Sequence, residues 1–171
     1  NDLQEKISSA PKGSIFIYHS LAGYLAPQDI KLIYELCQKH NVKVVMDCSG
    51  SYGTSFANGK FADVCFASFG KWKLVDFGKG GFISCKDETL YKKYAPLFSS
   101  VTLVLNKEEE SSLLHKLDSV NERIDFLNDE RKNIIEFFSR EGIKVIHKDA
   151  KVGFVVIAMH SSELEKFKII G

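Results

Sequence analysis

The chain has almost no net charge: 23 basic and 22 acidic residues leave a formal +1. That excludes a default attraction to nucleic acid or to an anionic membrane. No apolar run reaches the ~18 residues of a membrane span, and the opening residues lack the pattern of a secretory signal. Cys-x-x-Cys spacing is absent. Cys37, Cys48, Cys65 and Cys85 stand singly in apolar surroundings, the expected pattern of buried free thiols in a reducing cytoplasm rather than of disulfides or zinc. Internal repeats and low-complexity tracts are also lacking. Hydrophobic residues at 44% and aromatics at 12% of 171 make a globular chain, long enough for one core or one domain with a smaller appendage.

Several short apolar runs are present. Ser14–Tyr18, Val42–Met46 and Ala62–Ser68 read as buried strands, and Phe82–Cys85 as another. Between the first two, Ile30, Ile33, Tyr34 and Cys37 recur at a helical period, in a helix expected to open at Pro27 and stop at His40-Asn41. Strand, helix, strand implies a right-handed parallel crossover and an α/β, mostly parallel sheet. Residues 1–12 read as an amphipathic helix or arm closed by Pro11 and Gly13, and Asp87 begins a short helix through Tyr94. From Lys107 the pattern changes. Leu113, Leu117, Val120, Ile124, Leu127, Ile134 and Phe138 alternate steps of four and three, with Arg131 interrupting, so one side of a single long helix is apolar. Gly142 ends it. Ile143–Ile146 and Val152–Met159 then read as antiparallel strands, and Ser161 or Ser162 caps a last helix, Glu163–Ile170.

Chemistry concentrates at strand ends. Ser68 closes an apolar strand; Lys73 follows five residues later, then Gly78, Gly80 and Gly81. A lone lysine there reads as a solvated loop cation, and only neighbouring groups make it a Schiff-base nucleophile. A second strand delivers Asp47 to the same kind of edge, followed by Cys48, Ser49, Gly50, Ser51, Tyr52 and Gly53. By itself Asp47 reads as a turn cap, and His19 at the end of the first strand as either a satisfied loop histidine or a group facing a ligand.

Together these stretches resemble the DegT/StrS family of sugar aminotransferases, which have the aspartate aminotransferase fold. The family loop Ser-Phe-His-x-x-Lys-x-x-x-x-Gly-Glu-Gly-Gly is matched in register by Ser68, Phe69, Lys73, Gly78, Gly80 and Gly81. Its aspartate strand maps onto Asp47–Gly53, and its His-x-x-x-Gly segment onto His19–Gly23. Two positions depart. Gly50 stands where relatives often carry a glutamine that touches the cofactor's phenolic oxygen, and Lys79 replaces the acid between the glycines.

The resemblance implies pyridoxal 5'-phosphate as cofactor. Lys73 would form the Schiff base, Asp47 would pair with the pyridinium nitrogen, Ser68 would donate to the phosphate and Ser49 would pack under the ring. Lys71 is the rival lysine, two residues away. The implied reaction moves an amino group from an amino acid such as glutamate to a nucleotide-linked keto sugar, in a homodimer. Residues 1–98 would belong to the large cofactor domain, and 99–171 to the linking helix and part of a small α+β domain. The family's glycine-threonine phosphate loop and its stacking aromatic precede the His19 segment and have no counterpart here, as in a partial or shortened chain. Three alternatives stay open: a non-catalytic relative acting as a subunit, a lyase or desulfurase of the same fold, and an α/β module that holds an anion without a covalent bond.

Overall fold

A computed structural model describes residues 2–101, 103–150 and 152–159. In chain order its elements are α1 (Asp2–Ser8), β1 (Ile15–His19), the hairpin β2 (Leu21–Ala22) and β3 (Ala26–Pro27), α2 (Ile30–Lys39), β4 (Lys43–Asp47), β5 (Val64–Ser68), β6 (Gly81–Cys85), α3 (Glu88–Phe98), α4 (Lys107–Asp118), α5 (Val120–Arg140), and the pair β7 (Val145–Ile146) and β8 (Ile157–Ala158). The main sheet runs β1-β4-β5-β6. β1, β4 and β5 are mutually parallel, and β6 returns antiparallel to β5. This is the α/β, mostly parallel arrangement implied by the sequence.

The β-branched run of β4 explains its central place, because Val44 and Met46 are fully buried between β1 and β5. On α2 the helical period turns Ile30, Ile33 and Cys37 onto this sheet. That helix does not open at Pro27. Pro27 pairs with Leu21 across the β2–β3 hairpin, and the start is set by Asp29, whose side chain accepts a hydrogen bond from the Leu32 amide at 3.0 Å. Carboxylate capping satisfies a free helical N–H, which a proline cannot do. The end falls at His40, and Asn41 follows in the left-handed region at φ 56°, a conformation asparagine tolerates. Likewise α3 extends past Tyr94 to Phe98, with Pro96 in its last turns.

The apolar stripe beyond Lys107 lies on two helices instead of one. The break falls at Ser119 (φ −89°, ψ 5°), whose amide and hydroxyl both donate to the His115 carbonyl, at 3.0 and 2.8 Å, as α4 ends. Val120 is buried, and Leu113, Leu117, Ile124 and Leu127 pack against the core. Arg131 occupies the interrupting position, yet it is only 9% exposed. Its Nε, Nη1 and Nη2 donate to the carbonyls of Val155, Ala150 and His147 at 3.3, 3.2 and 2.9 Å. The guanidinium thus satisfies the irregular backbone that leads into the antiparallel β7–β8 pair. Arg131→Met, which nearly keeps the length of the side chain, is expected to cost about 3 kcal/mol by stranding the Ala150 and Val155 carbonyls, while His147 keeps its bond from the Ala150 amide; urea unfolding measures it.

All four cysteines are free. Among the described residues no helix is long and apolar enough to cross a membrane. The expected helix at Glu163–Ile170 lies outside the described residues.

Candidate functional site

Parallel pairing brings three strand ends to one edge. His19 is in register with Asp47, Asp47 with Phe66, and Ser68 with Gly81 of the returning strand. Asp47 has a side-chain exposure of 14% and lies with Oδ2 3.0 Å from His19 Nδ1. Its Oδ1 accepts from the Ser49 amide at 2.8 Å. A carboxylate has about four lone-pair positions, so two contacts orient this group and leave it able to accept another donor. The His19 question is therefore settled in one respect: its imidazole is 65% exposed and touches Asp47.

Ser49 is buried, and its hydroxyl accepts from the Ser68 amide at 2.9 Å. This ties the loop after β4 to the end of β5. Ser68 is exposed; its Oγ accepts from the Gly70 amide at 3.1 Å, which leaves its hydroxyl proton free to donate. Beyond it the chain folds back, held by the buried Leu74 and Val75 and by bonds from Phe69 N to Gly80 O at 2.9 Å and from Phe77 N to Phe69 O at 3.1 Å. Phe69 also packs on Tyr52 and Phe82 with ring centroids 5.9 and 6.0 Å apart. Trp72, at φ 68°, reverses the backbone between the two candidate lysines. Lys71 stays in solvent while Lys73 is half-buried.

The Lys73 amine donates to the Tyr24 hydroxyl at 2.5 Å and lies 5.2 Å from the centre of that ring. Tyr24 in turn lies against Gly50: a Cβ added there would come within 3.0 Å of the ring's Cδ1 and Cε1. A continuous path of contacts therefore runs from Asp47 through Ser49 and Gly50 to Tyr24 and Lys73. The structure brings together all four residues singled out by sequence, and adds Tyr24, which the sequence reading passed over. The only signal for it was the missing side chain at position 50.

Lys79, the departure between the glycines, pairs with Glu109 at the start of α4. This hydrogen bond holds the Glu109 carboxyl below the usual carboxylate range, helped by the Asn106 amide. Beneath the site, the Cys48 thiol is pushed up by its hydrogen bond with Cys65 and by burial, and the same contact draws Cys65 down. An apolar cleft of 550 Å³ opens beside β5 and β6; it shares Ser68 and Lys79–Gly81 with the site but includes neither Asp47 nor Lys73.

Residues 2–141 match the model of the DegT/DnrJ/EryC1/StrS aminotransferase family. The chain belongs to that family. Among curated relatives of this DegT-family chain, GDP-perosamine synthase of Escherichia coli O157:H7 is 30% identical over 96 residues, covering 54% of the chain and 25% of the relative. UDP-N-acetyl-3-dehydro-alpha-D-glucosamine 3-aminotransferase of Acidithiobacillus ferrooxidans is 34% identical over 74 residues, or 41% of the chain and 20% of the relative. A PLP-bound putative aminotransferase of Clostridium difficile 630 superposes with a TM-score of 0.63 at 18% identity, covering 91% of the chain and 44% of that structure; at this identity the likeness establishes the fold. The DegT-family chain thus aligns with a quarter or less of the curated relatives and with under half of that structure.

Proposed function

We propose that this chain carries the lysine and the aspartate of a pyridoxal-phosphate-dependent aminotransferase that acts on a nucleotide-linked keto sugar with an amino acid such as glutamate as donor. The observation that carries this reading is the placement of Lys73: its amine turns back from the loop to the strand edge and is joined through Tyr24 and Gly50 to the Asp47 loop. The donor set fits the group. A mostly buried carboxylate with accepting capacity suits a protonated ring nitrogen, an amine suits an aldehyde, and the Ser68 hydroxyl beside a glycine loop suits a phosphate. When bound, pyridoxal phosphate supplies an electron sink for the carbanion formed at the substrate carbon.

This chain's residues supply the rest. Asp47, oriented by His19 and the Ser49 amide, would hold the ring nitrogen protonated through a charge-assisted contact. Lys73 would bind the aldehyde and, once released by the substrate amine, would move a proton at Nζ as general base and acid. Ser68 would donate to the phosphate, with Ser49 fixing the strand end that carries it. On this reading residues 1–98 belong to the cofactor domain and 99–171 to the linking helices and a small α+β portion, and the assembly is a homodimer, which light scattering behind a sizing column measures.

The test is an absorbance scan of the purified chain with added pyridoxal phosphate, then borohydride reduction and peptide mapping. A label on Lys73 supports the assignment and a label on Lys71 reverses it. Absence of any label favours a non-catalytic relative. Asp47→Ala should weaken retention of the cofactor about 30-fold, the equivalent of one charge-assisted bond of ~2 kcal/mol, as read from a fluorescence titration.

A further inference from the structure

We propose that Tyr24 is the positioning residue of the Lys73 amine, and that it takes this place because position 50 carries no side chain. Three independent features bear on it. The phenol accepts the Lys73 hydrogen bond at 2.5 Å. The ring fills the space beside Gly50, 3.0 Å from where a Cβ would stand, so a residue-50 side chain would have to push the ring aside. The backbone of Tyr24 is also held in the left-handed region at φ 62°, a strained conformation for a residue with a bulky side chain.

That strain is held in place by the surroundings. The Tyr24 amide donates to the Leu21 carbonyl at 3.2 Å, and its carbonyl accepts from the Phe154 amide at 2.8 Å. Leu25, the next residue, is 3% exposed, and its Cα lies 3.2 Å from the Cβ position of Gly153. Gly153 lies in the segment that Arg131 pins by three carbonyls. The C-terminal segment therefore fixes the angle at which Tyr24 enters the site. Backbone strain maintained by over-determined packing is what pre-organises a group.

The consequence for catalysis rests on the reading of Lys73 as the cofactor lysine, but the contact can be tested without the cofactor. Trace labelling of the intact chain with acetic anhydride, followed by peptide mapping, gives the ratio of Lys73 to Lys71 modification. A small reagent arrives from any direction, so freeing the amine raises its reactivity. Tyr24→Phe should raise the ratio about fivefold, the factor of one ordinary hydrogen bond. Gly50→Gln should raise it similarly with the phenol still present, because the new side chain displaces the ring. The double variant should exceed neither single one, since both break the same contact.

A bound aldehyde, in contrast, approaches from one direction only. In Tyr24→Phe the Lys73 adduct with pyridoxal phosphate should form about fivefold more slowly even as anhydride labelling rises. General loosening of the fold would raise the labelling of Lys116, which is also half-buried, alongside that of Lys73, whereas loss of the Tyr24 contact raises Lys73 alone. An unchanged ratio in Tyr24→Phe overturns the positioning role; an unchanged ratio in Gly50→Gln overturns the part assigned to residue 50. If the wild-type chain forms no adduct, the aminotransferase reading fails while the labelling ratio still decides the role of Tyr24.

Discussion

Lys73→Ala is expected to remove the near-visible absorbance that pyridoxal phosphate gives with the wild-type chain, and to leave no borohydride-fixed label. Amino transfer should fall about 10⁴-fold, the upper range for loss of a positioned acid–base group, since one amine serves both attachment and proton transfer. The fold should survive. Lys73 is half-buried, and its loop is anchored by Leu74 and Val75, which are 4% and 1% exposed; the loss is one hydrogen bond to Tyr24, about 1 kcal/mol. Lys71→Ala is the matched control. Its side chain stands in solvent beyond the backbone reversal at Trp72, so absorbance and activity should persist. Absorbance that survives in Lys73→Ala and vanishes in Lys71→Ala would move the chemistry to the other lysine.

Gly81→Ala should be the most destabilising single methyl group in the site. Its Cβ would fall 2.1 Å from the Ala67 carbonyl oxygen and 3.1 Å from the Ser68 Cα. Backbone on both sides of the clash leaves no flexible side chain to yield, so β5 and β6 must separate where Ser68 pairs with Gly81. An overpacking cost of about 3 kcal/mol follows, which for a chain of 171 residues lowers the melting temperature by about 10 °C. Cofactor retention should weaken with it, because Ser68 rides on the displaced strand. Gly78→Ala separates space from backbone angle. At that position φ is 83° and nothing lies within 4 Å of the added Cβ, so the expected cost is the left-handed penalty alone, about 1 kcal/mol. Equal losses in the two variants would show that conformational strain, not the clash, governs this turn.

The elements that could be read from sequence are those whose signal is local. The β-branched run of β4 and the helical spacing of Ile30, Ile33 and Cys37 state their own buried faces, and β1, β4 and β5 form within a residue or two of expectation, although β1 leaves Ile15 and Ile17 61% and 65% exposed where its apolar run implied a buried strand. Pro27 and Ser119 show where local reading stops. Pro27 favours a helix start by its fixed φ, but the competing hairpin with Leu21 requires the chain to turn back through Tyr24. The stripe from Leu113 to Phe138 has continuous periodicity, yet the backbone leaves the helix at Ser119 (φ −89°, ψ 5°), a break that the apolar spacing does not mark. Arg131 looked like a defect in that stripe; it is a buried cation whose partners, His147, Ala150 and Val155, lie 16 to 24 positions further along the chain, beyond the reach of any helical period.

Residue types and their spacing alone fixed the chemical inventory: a carboxylate at one strand end, a hydroxyl and an amine at set offsets from another, and glycines after the amine. Tertiary structure decided which amine turns inward, what orients the carboxylate, and that a tyrosine 49 positions from Lys73 closes the site beside a glycine. The reason is physical. Periodicity and turn chemistry act over a few neighbouring residues, whereas the convergence of Tyr24, Gly50 and Lys73 depends on strand register and on close packing between segments far apart in the chain.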